Sequence, residues 1–541
     1  MNKTGKRVLA LVLCLLMVLA LAACGKSAAP SGDSTKPSGD STKPADDSSK
    51  PADDSEKPDE DVVSARDTLT IATSGDPGTL MPTKIGGSFT GIIRQYMEVL
   101  VDYKADGTPV WVLATDIEEK SDSEWIIHCR EGVTFTNGNK FDADDVIFTF
   151  NYYLSDPMSA NFLSCFDMEN TKKIDDYTID LALSSYSMQQ MGSLSQIYIF
   201  DAESFNEDDF VMHPVGTGPY KVDEYVINSH VYLSANENYW NGSAKIKNLH
   251  YKVFNEDAQM INAIQSGTVD VSSVPLQDVE FAKTLTNYDI NTYYNVFAPT
   301  ISFNMSENSI LSNKDARLAV CYAANRQAMA DLAYFGYASV LHYPVSQHCL
   351  DYTPDLDDLT EVYSIGYNVE KAKEYAEKAG LVGKTLVAIT NGASVYVTEA
   401  EILQANLREI GVTLDIKNYD AATYFSVSQD PTQFDIALYA IASPQGYAVG
   451  MMYEYVMWGP AQYGTWDKYE EYLALGKKAV ATSDPTERQA LLKEMSIMFE
   501  DGLLWYGICD QMAAVAINKE LGNVEIWNSG GMRYVDWYWK S

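Results

Sequence analysis

A strand–helix–strand unit in the second half of the chain places the tightest limit on its fold. A β-branched run, 384–390, is followed by an amphipathic helix over 398–410, which Gly411 ends, and by a second run, 412–417. Two strands separated by a helix of about a dozen residues form a parallel pair with a right-handed crossover. The unit therefore predicts an α/β fold that contains a parallel sheet.

Other segments extend this prediction along the chain. Residues 434–441 form another buried strand, and 368–380 form an amphipathic helix with Asn368 as N-cap and Gly380 just past its end. Strand patterns dominate the first half, which predicts an antiparallel-rich insert there. The predicted strands of that half are 66–73, 125–130, 133–136, 177–183 and a hairpin over 221–235, and its helices are 91–100 and 142–153.

The first residues have the composition of a targeting signal. Lys3, Lys6 and Arg7 precede an unbroken apolar run, 8–23, which is marginal for a membrane span and suits the apolar core of a signal peptide. The run ends in Leu-Ala-Ala followed by Cys24, and this ending resembles the bacterial lipobox. The resemblance implies that residues 1–23 are removed and that Cys24 carries a diacylglycerol. The alternative is an ordinary signal peptide with a chance cysteine.

A seven-residue repeat follows the signal. Four copies occupy 31–58, and each ends in Lys-Pro. The period of seven does not indicate a coiled coil, because the repeat has no apolar a and d positions and brings a proline into every unit. We therefore interpret 24–65 as a solvated, disordered tether of Ser, Pro, Asp and Lys, and 66–541 as the folded body.

Composition excludes several partners. The chain has 39 Lys+Arg against 75 Asp+Glu, a formal charge of -36, and this argues against nucleic acid and against anionic membrane surfaces. Its 46% of hydrophobic residues predicts that most of it is globular. The body holds five scattered cysteines, an odd number, so we expect free thiols, with one incidental bridge left open.

No catalytic signature is present in the sequence, which contains neither a GxSxG elbow nor HExxH, a P-loop or a Rossmann GxGxxG. His128 and Cys129 adjoin within a strand pattern, where neighbours face opposite sides and do not share a metal. A patch of His342, His348 and Cys349 is left open as a metal site, although a loop with ordinary histidines is the favoured interpretation. We predict neither a catalytic residue, a cofactor nor a metal.

Several motifs, taken in order, resemble the family 5 extracellular solute-binding proteins, the peptide- and nickel-binding components of ABC importers. The richest is WIIHCREGVTFTNGNKFDADDVIFTFN at 125–151, and PVGTGPY at 214–220 is the next most distinctive. The helix that ends at Gly411, with its following strand, completes the series. The remaining motifs are YMEVLV at 96–101, AIQSGTVDV at 263–271, and the segment 301–326 with its FN, DAR and YA…R groups.

The resemblance implies a two-lobed fold of the type II periplasmic-binding-protein kind, with a subdomain inserted in the first lobe. Lobe I would comprise 66–300 and 505–541, with the insert at about 100–212, and lobe II would comprise 301–504. The protein would be a monomer and not an enzyme. It would bind peptides or similar small solutes between the lobes and deliver them to the permease and ATPase subunits of an importer, on the extracytoplasmic face of the cell membrane.

Some residues of these motifs have a structural explanation. Gly216 and Gly218 would permit unusual backbone dihedrals in a tight crossing. Asp315 and Arg317 would cap and brace the start of a helix.

The resemblance also suggests ligand-binding residues. They are a glycine-containing loop after the first strand, an aromatic residue of the insert, the residues that follow two strands of lobe II, where α/β sheets present ligand sites, and two aromatic residues further on. In chain order these are Gly86, Gly87, Ser88, Phe162, Asn391, Tyr396, Ala442, Ser443, Tyr447 and Trp458.

One stretch departs from the family. Peptide binders often carry an aspartate after the strand that corresponds to 434–441, where it pairs with the peptide's α-amine, but here no acid precedes Glu454. Longer peptides held by backbone pairing, oligosaccharides, metal chelates and other small molecules therefore all stay open. A non-transport receptor or adhesin on the same fold is the alternative function, and a lipid-anchored hydrolase is a third.

Overall fold

A computed structural model describes residues 66–84, 89–104, 108–156, 159–187, 192–352, 354–359, 361–442, 446–526 and 531–540. Its strands are β1 Thr68–Ser74, β2 Val101–Tyr103, β3 Pro109–Trp111, β4 Ala114–Ser121, β5 Glu124–Cys129, β6 Lys172–Asp175, β7 Thr178–Ala182, β8 Tyr220–Val226, β9 His230–Ala235, β10 Asn248–Phe254, β11 Val271–Ser273, β12 Tyr288–Tyr294, β13 Ala298–Phe303, β14 Ala338–Val340, β15 Thr385–Thr390, β16 Thr413–Asn418, β17 Ile436–Ile441, β18 Trp505–Gly507, β19 Cys509–Asn518, β20 Leu521–Gly522 and β21 Tyr538–Trp539.

The α-helices are α1 Thr90–Tyr96, α2 Ala143–Ser155, α3 Glu207–Phe210, α4 Asp257–Ser266, α5 Val279–Ala282, α6 Lys314–Ala323, α7 Arg326–Ala333, α8 Glu361–Ile365, α9 Val369–Lys378, α10 Ser394–Glu409, α11 Ala421–Ser428, α12 Ala448–Trp458, α13 Pro460–Tyr463, α14 Tyr469–Val480 and α15 Pro485–Gly502. Short 3-10 helices lie at Ala160–Leu163, Leu194–Gln196, Leu276–Asp278, Ile310–Ser312, Pro354–Leu359 and Tyr534–Asp536.

An eight-stranded mixed sheet organises the first half of the body. Its order is β12-β19-β11-β1-β10-β9-β8, and β14 adds to β19. β1 runs parallel to both β10 and β11, whereas β19 runs antiparallel to its neighbours. β19 thus brings the chain back, near its C-terminus, to the sheet that its first strand begins.

A five-stranded sheet organises the second half, in the order β16-β15-β17-β13-β18. β15 pairs with β16 in parallel, and α10 lies between them in sequence, so the predicted strand–helix–strand unit is confirmed. Gly411 follows α10 with a φ of 77°, which is the left-handed conformation that suits glycine at a helix end. β13 and β18 complete the sheet as antiparallel strands.

The insert is antiparallel, as predicted. A four-stranded sheet, β4-β5-β7-β6, contains only antiparallel pairs. α2 begins at a capping box: the Asp142 side chain accepts from the Asp144 backbone N–H at 2.8 Å, and the Asp145 side chain accepts from the Asp142 backbone N–H at 2.8 Å. Backbone N–H groups at the start of a helix have no carbonyl partner within the helix, and these two bonds supply acceptors for them. The Asp-rich segment therefore favours the start of a helix.

Two large hydrophobic clusters form the cores of the halves. Core I includes Leu69, Trp125 and Trp537, and so combines the first strand, the insert and the C-terminal segment. Core II includes Ile301 and Trp505 and covers the five-stranded sheet. Each half thus has a core of its own, as separate lobes require.

The start and end of α9 agree with the predicted signals. The Asn368 side chain accepts from the Lys371 backbone N–H at 3.0 Å, and Gly380 has a φ of 67°. The N-cap of α6 is different from our expectation, because Asn313 rather than Asp315 accepts the capping bond. Arg317 does brace this start, since its guanidinium donates to the carbonyls of Leu311, Ser312 and Gly502.

Three further expectations were wrong in detail. Residues 133–136 form no strand, and only an isolated bridge joins Thr134 to Lys140. The first helix ends at Tyr96, because the chain becomes extended at Met97. Neither Gly216 nor Gly218 has a positive φ; a Cβ atom on either would instead collide with the backbone of Tyr96, so these glycines are required by close approach.

All five cysteines of the body are buried and unpaired. The thiol of Cys349, for example, faces the sulfur of Met451 at 4.0 Å, and burial raises its pKa well above the usual range. Buried thiols of this kind are chemically inert and pack as small apolar groups.

Candidate ligand-binding site

Two short segments connect the sheets. Residues 295–297 join β12 of the eight-stranded sheet to β13 of the five-stranded sheet, and Ile508 alone joins β18 to β19. The segments lie side by side, since the Ile508 backbone N–H donates to the Pro299 carbonyl at 2.7 Å. The change of sheet therefore falls three residues beyond the point where our prediction begins the return to lobe I. Two adjacent crossings of this length form a junction at which the halves can hinge.

Asn391 and Ala442, two of the predicted residues of the second half, lie at the edge of the sheet that adjoins this junction. β15 and β17 run parallel, so their carboxyl ends, followed by Asn391 and Ala442, meet at one edge. Ala298, the first residue of β13, pairs with Ile441 at the end of β17. The first crossing segment thus enters the five-stranded sheet at the edge where α/β sheets present ligand sites.

Aromatic side chains cover this edge. The rings of Tyr439 and Tyr455 are stacked with centroids 6.1 Å apart, and Trp458 lies 5.4 Å from Tyr455. The backbone N–H of Ala442 donates to the Tyr455 hydroxyl at 3.1 Å. Trp458 remains 47% exposed, so its ring is available to a ligand.

Two further tyrosines complete the group. The Tyr396 hydroxyl is hydrogen-bonded to the backbone of Ala440, and burial together with neighbouring Glu399 raises its pKa. The pKa of Tyr424 is raised by burial and then by the nearby phenols of other tyrosines. We call this group the aromatic edge; it consists of Tyr396, Tyr424, Tyr439, Tyr455 and Trp458.

Asn391 makes a hydrogen bond within its own loop. Its side-chain oxygen accepts from the backbone N–H of Ala393 at 3.1 Å, which closes a local turn. The turn passes through Gly392, whose φ is 78°. In this arrangement the side-chain oxygen of Asn391 stabilises the loop, and the NH₂ group of the same carboxamide is the group that could donate to a ligand.

Tyr447 and Trp458 are not brought together. They stand at opposite ends of α12, whose 11 residues span about 16 Å. The N-terminus of α12 is occupied by the buried carboxylate of Asp351, which accepts from the backbone N–H groups of Ala448 at 2.5 Å and Val449 at 3.1 Å. The two predicted aromatics therefore belong to different parts of the surface.

Tyr447 faces the insert. Burial raises the pKa of Tyr103, and the nearby Tyr447 phenol is the next cause, so β2 and the start of α12 lie close together. Burial raises the pKa of Tyr186 to about 12, with Glu119 adding to this and Arg488 opposing it. We call this group the interlobe contact; it consists of Tyr103 and Tyr186 on the insert and Tyr447 and Arg488 on the second half.

The other predicted residues are not placed at either group. Phe162 lies in a 3-10 helix of the insert, half-buried against core I. Gly86, Gly87, Ser88 and Ser443 lie outside the described residues.

Residues of the patch that the sequence left open as a metal site, His342, His348 and Cys349, make separate contacts. The His348 ring stacks on Tyr294 with centroids 4.0 Å apart, and its Nε2 lies 4.0 Å from the Asp510 carboxylate, while Cys349 is buried against methionine. Among the residues the structure describes, no three His, Cys, Asp or Glu side chains come close enough to hold a metal ion.

Sequence reasoning missed six residues of these groups: Tyr424, Tyr439 and Tyr455 of the aromatic edge, and Tyr103, Tyr186 and Arg488 of the interlobe contact. The hydroxyl and ring of Tyr455 join Ala442 to Trp458. Tyr186 and Arg488 have no local signal, because their roles depend on contacts between segments far apart in sequence.

The comparisons with known proteins agree on the class. Residues 108–464 match the model of the bacterial extracellular solute-binding proteins, family 5 Middle. The chain belongs to this family. It is therefore a bacterial extracellular solute-binding protein, which is a class of binding protein and not of enzyme.

Two curated relatives illustrate the range of the family. The nickel-binding periplasmic protein of Escherichia coli (strain K12) is 24% identical over 487 residues, which cover 85% of this chain and 92% of that protein. The oligopeptide-binding protein AppA of Bacillus subtilis (strain 168) is 25% identical over 355 residues, 57% of this chain and 64% of AppA.

A solved structure confirms the fold. The ABC transporter substrate-binding protein CtaP of Listeria monocytogenes superposes with a TM-score of 0.76 at 23% identity, covering 88% of this chain and all of that one. The predicted type II periplasmic-binding-protein fold is thus correct. The family is extracytoplasmic. Within the described residues, every helix is too short or too polar to span a membrane.

Proposed function

We propose that this protein is the lipid-anchored substrate-binding component of an ABC importer, and that it binds peptides in a cleft between two lobes. Lobe I would comprise 66–300 and 505–541, and lobe II would comprise 301–504, with the exact crossing at Ile508. The observation that carries the proposal is the pair of short crossings between two separately cored sheets, with the aromatic edge and its exposed Trp458 ring beside them.

Binding would act by population shift. The crossings allow the halves to open and close, and a solute that touches both lobes favours the closed state by the difference between its affinities for the two states. Closure would create the surface that the importer's permease recognises. The chain would act as a monomer, because one copy supplies both walls of the cleft.

The aromatic edge supports extended, uncharged ligand segments. Tyrosine and tryptophan rings stack on apolar side chains and accommodate backbone groups through their polar tips. This chemistry suits a peptide held along its length more than one held by its amino terminus, in line with the absence of an acid between β17 and Glu454. Gly86, Gly87, Ser88 and Ser443 are proposed to contribute backbone contacts to the ligand.

A metal chelate is the second candidate, because the nickel-binding relative covers more of the chain than AppA does. A chelate brings its own ligands, so it needs no cluster of His, Cys, Asp or Glu side chains in the protein. Aromatic side chains would then pack on the organic part of the chelate.

Thermal unfolding separates the two candidates. The full chain, freed of co-purified solute by unfolding and refolding, would be heated with a panel of peptides of two to nine residues and, separately, with nickel and histidine. A ligand at about a hundred times its Kd adds roughly 2.7 kcal/mol of stability and raises Tm. A rise with peptides supports the first proposal, a rise only with nickel and histidine supports the second, and no rise with either overturns both.

Variants connect this binding to the aromatic edge. Trp458→Ala should weaken binding of the active ligand about tenfold, which is the effect of losing one well-placed aromatic contact. Tyr538→Ala, which removes a similarly exposed ring from the first half, is the matched control and should bind normally. Equal affinities of the two variants would contradict a role for this edge.

The anchor is proposed separately, on the sequence of the first 24 residues. Two acyl chains on Cys24 would hold the protein on the extracytoplasmic face of the membrane, since one chain binds only marginally. In a bacterial host, the wild-type chain should incorporate labelled palmitate and sediment with membranes, and Cys24→Ser should do neither. Membrane recovery of Cys24→Ser equal to that of the wild type would overturn this anchor.

A further inference from the structure

We propose that Tyr186 and Arg488 form a latch across the cleft that holds the two lobes together before any solute binds. The proposal deepens the proposed function, since it assumes lobes that open and close. It concerns the balance between the open and closed states of the solute-free protein, and it assigns to the insert a second contact with the other half besides the junction at Ile508.

Packing across the halves is the first support. Tyr186 follows β7 in the insert, and its half-buried ring packs against both core I and core II. Among the described residues it is the only partly buried side chain shared by these two cores. The ring of Trp125, a residue of core I, packs edge to face against the Tyr186 ring, and the two ring centroids lie 6.5 Å apart. The ring is therefore fixed by the insert and presented to the second half.

Charge is the second support. Arg488 lies in the first turns of α15, where its Nη1 donates to the Thr482 carbonyl at 3.0 Å. Its Nε is buried and has no hydrogen-bond partner within the described part of the chain. The guanidinium charge acts on the phenols of Tyr186 and Tyr447, and also on the buried carboxylate of Asp351 in its own half.

The insert presents the opposite charge. Glu119 at the end of β4 and Asp122 in the following turn both act on Tyr186 from its own side. Burial raises the pKa of Glu119, with Asp122 adding to the effect. An arginine on one lobe and two acids on the other attract each other across the contact, and such attraction is screened by salt.

The latch is expected to be weak. One half-buried aromatic contact changes an equilibrium by roughly three- to tenfold. A contact of this strength biases the lobes toward closure yet lets them open often enough to admit a solute. A solute that adds contacts to both walls would then complete closure.

Solution X-ray scattering of the solute-free full chain tests the latch directly. Tyr186→Ala should increase the radius of gyration, because more molecules are open, whereas Tyr186→Phe keeps the ring and should match the wild type. Tyr367→Ala removes a half-exposed tyrosine of the second half that packs in neither core, and it serves as the control. Thermal unfolding of each variant reports any purely structural effect, which would lower Tm without opening the cleft.

Salt and Arg488→Gln provide the second arm. Raising the salt concentration from about 0.01 to 1 M shortens the screening length from roughly 30 to 3 Å, and this should open the wild type. Arg488→Gln should be more open at low salt and insensitive to added salt. If Tyr186→Ala fails to fold, the salt dependence of the wild type and of Arg488→Gln tests the latch without it.

The outcomes are separable from those of the proposed function. A Tyr186→Ala protein that folds and scatters like the wild type overturns the latch, and so does an Arg488→Gln protein that scatters like the wild type at every salt concentration. Neither result would contradict the proposal that the protein binds a solute. Conversely, a failure of every peptide and chelate to bind leaves these solute-free measurements unchanged.

Discussion

Glu399 has an environment that disfavours its usual charged form. It lies in α10 with no solvent exposure, and only one of its oxygens is hydrogen-bonded, to the Tyr334 hydroxyl at 2.8 Å. Burial raises its pKa to about 8, because the charged form has lost its water and gained one partner. The carboxyl is therefore largely protonated at neutral pH.

This gives a pH-dependence of a definite sign. The pKa of Glu399 is higher in the folded state than its unfolded value of about 4.3. The protonated carboxyl therefore contributes its full stabilisation of the fold at pH values below about 4.3. The contribution is lost as pH rises toward 8, by about 1.4 kcal/mol per pH unit at most. Urea unfolding between pH 5 and 8 should show a smaller decrease of stability for Glu399→Gln than for the wild type. Glu401→Gln, on the exposed face of the same helix, is the control, and equal slopes for all three proteins would contradict the assignment.

Gly218 supplies a second residue-scale prediction. A Cβ atom there would stand 2.6 Å from the Tyr96 carbonyl carbon, so Gly218→Ala must displace the backbone and should cost about 1–3 kcal/mol or more. Gly91, in α1, has open space at its Cβ position, and Gly91→Ala should instead stabilise by about 0.5–1 kcal/mol. Chemical denaturation of both variants checks the pair; opposite signs are expected, and a harmless Gly218→Ala would refute the close approach.

At the scale of elements, local signals were sufficient for much of the fold. The Asn368 cap of α9, the capping box of α2 and the glycine at the end of α10 each lie within a few residues of the helix they define. The caps of α12 and the brace on α6 could not be found in this way. Asp351 lies 97 residues before Ala448, and Arg317 reaches the Gly502 carbonyl, so both depend on tertiary contacts that no local pattern encodes.

The cap on α12 makes an element-scale prediction. Asp351→Ala would remove the acceptor of two buried N–H groups and should destabilise the protein by about 1–3 kcal/mol. Because α12 carries Tyr447 at one end and Trp458 at the other, its amides should also exchange faster with solvent. Asp484→Ala, which removes the local cap of the exposed start of α15, is the control and should affect α15 alone. Unchanged exchange in α12 would contradict the anchoring role of Asp351.

At the scale of the whole molecule, the order of the motifs predicted the family and the fold correctly, because these motifs are turns, caps and close approaches that define the lobes. The site was less predictable. Ala442, Tyr396 and Trp458 do gather at the aromatic edge, but Asn391 makes a hydrogen bond within its own loop and Tyr447 belongs to the interlobe contact. Which side chains face a cleft depends on how two distant halves meet, and the sequence of either half alone does not contain that information.

The central claim is that the two halves enclose a solute, and native mass spectrometry of the freshly purified full chain tests it most directly. The account predicts one additional mass per protein molecule that is released on denaturation and sequences as a peptide. A bare protein mass in native conditions, together with no ligand-dependent rise in Tm for any peptide, would contradict it.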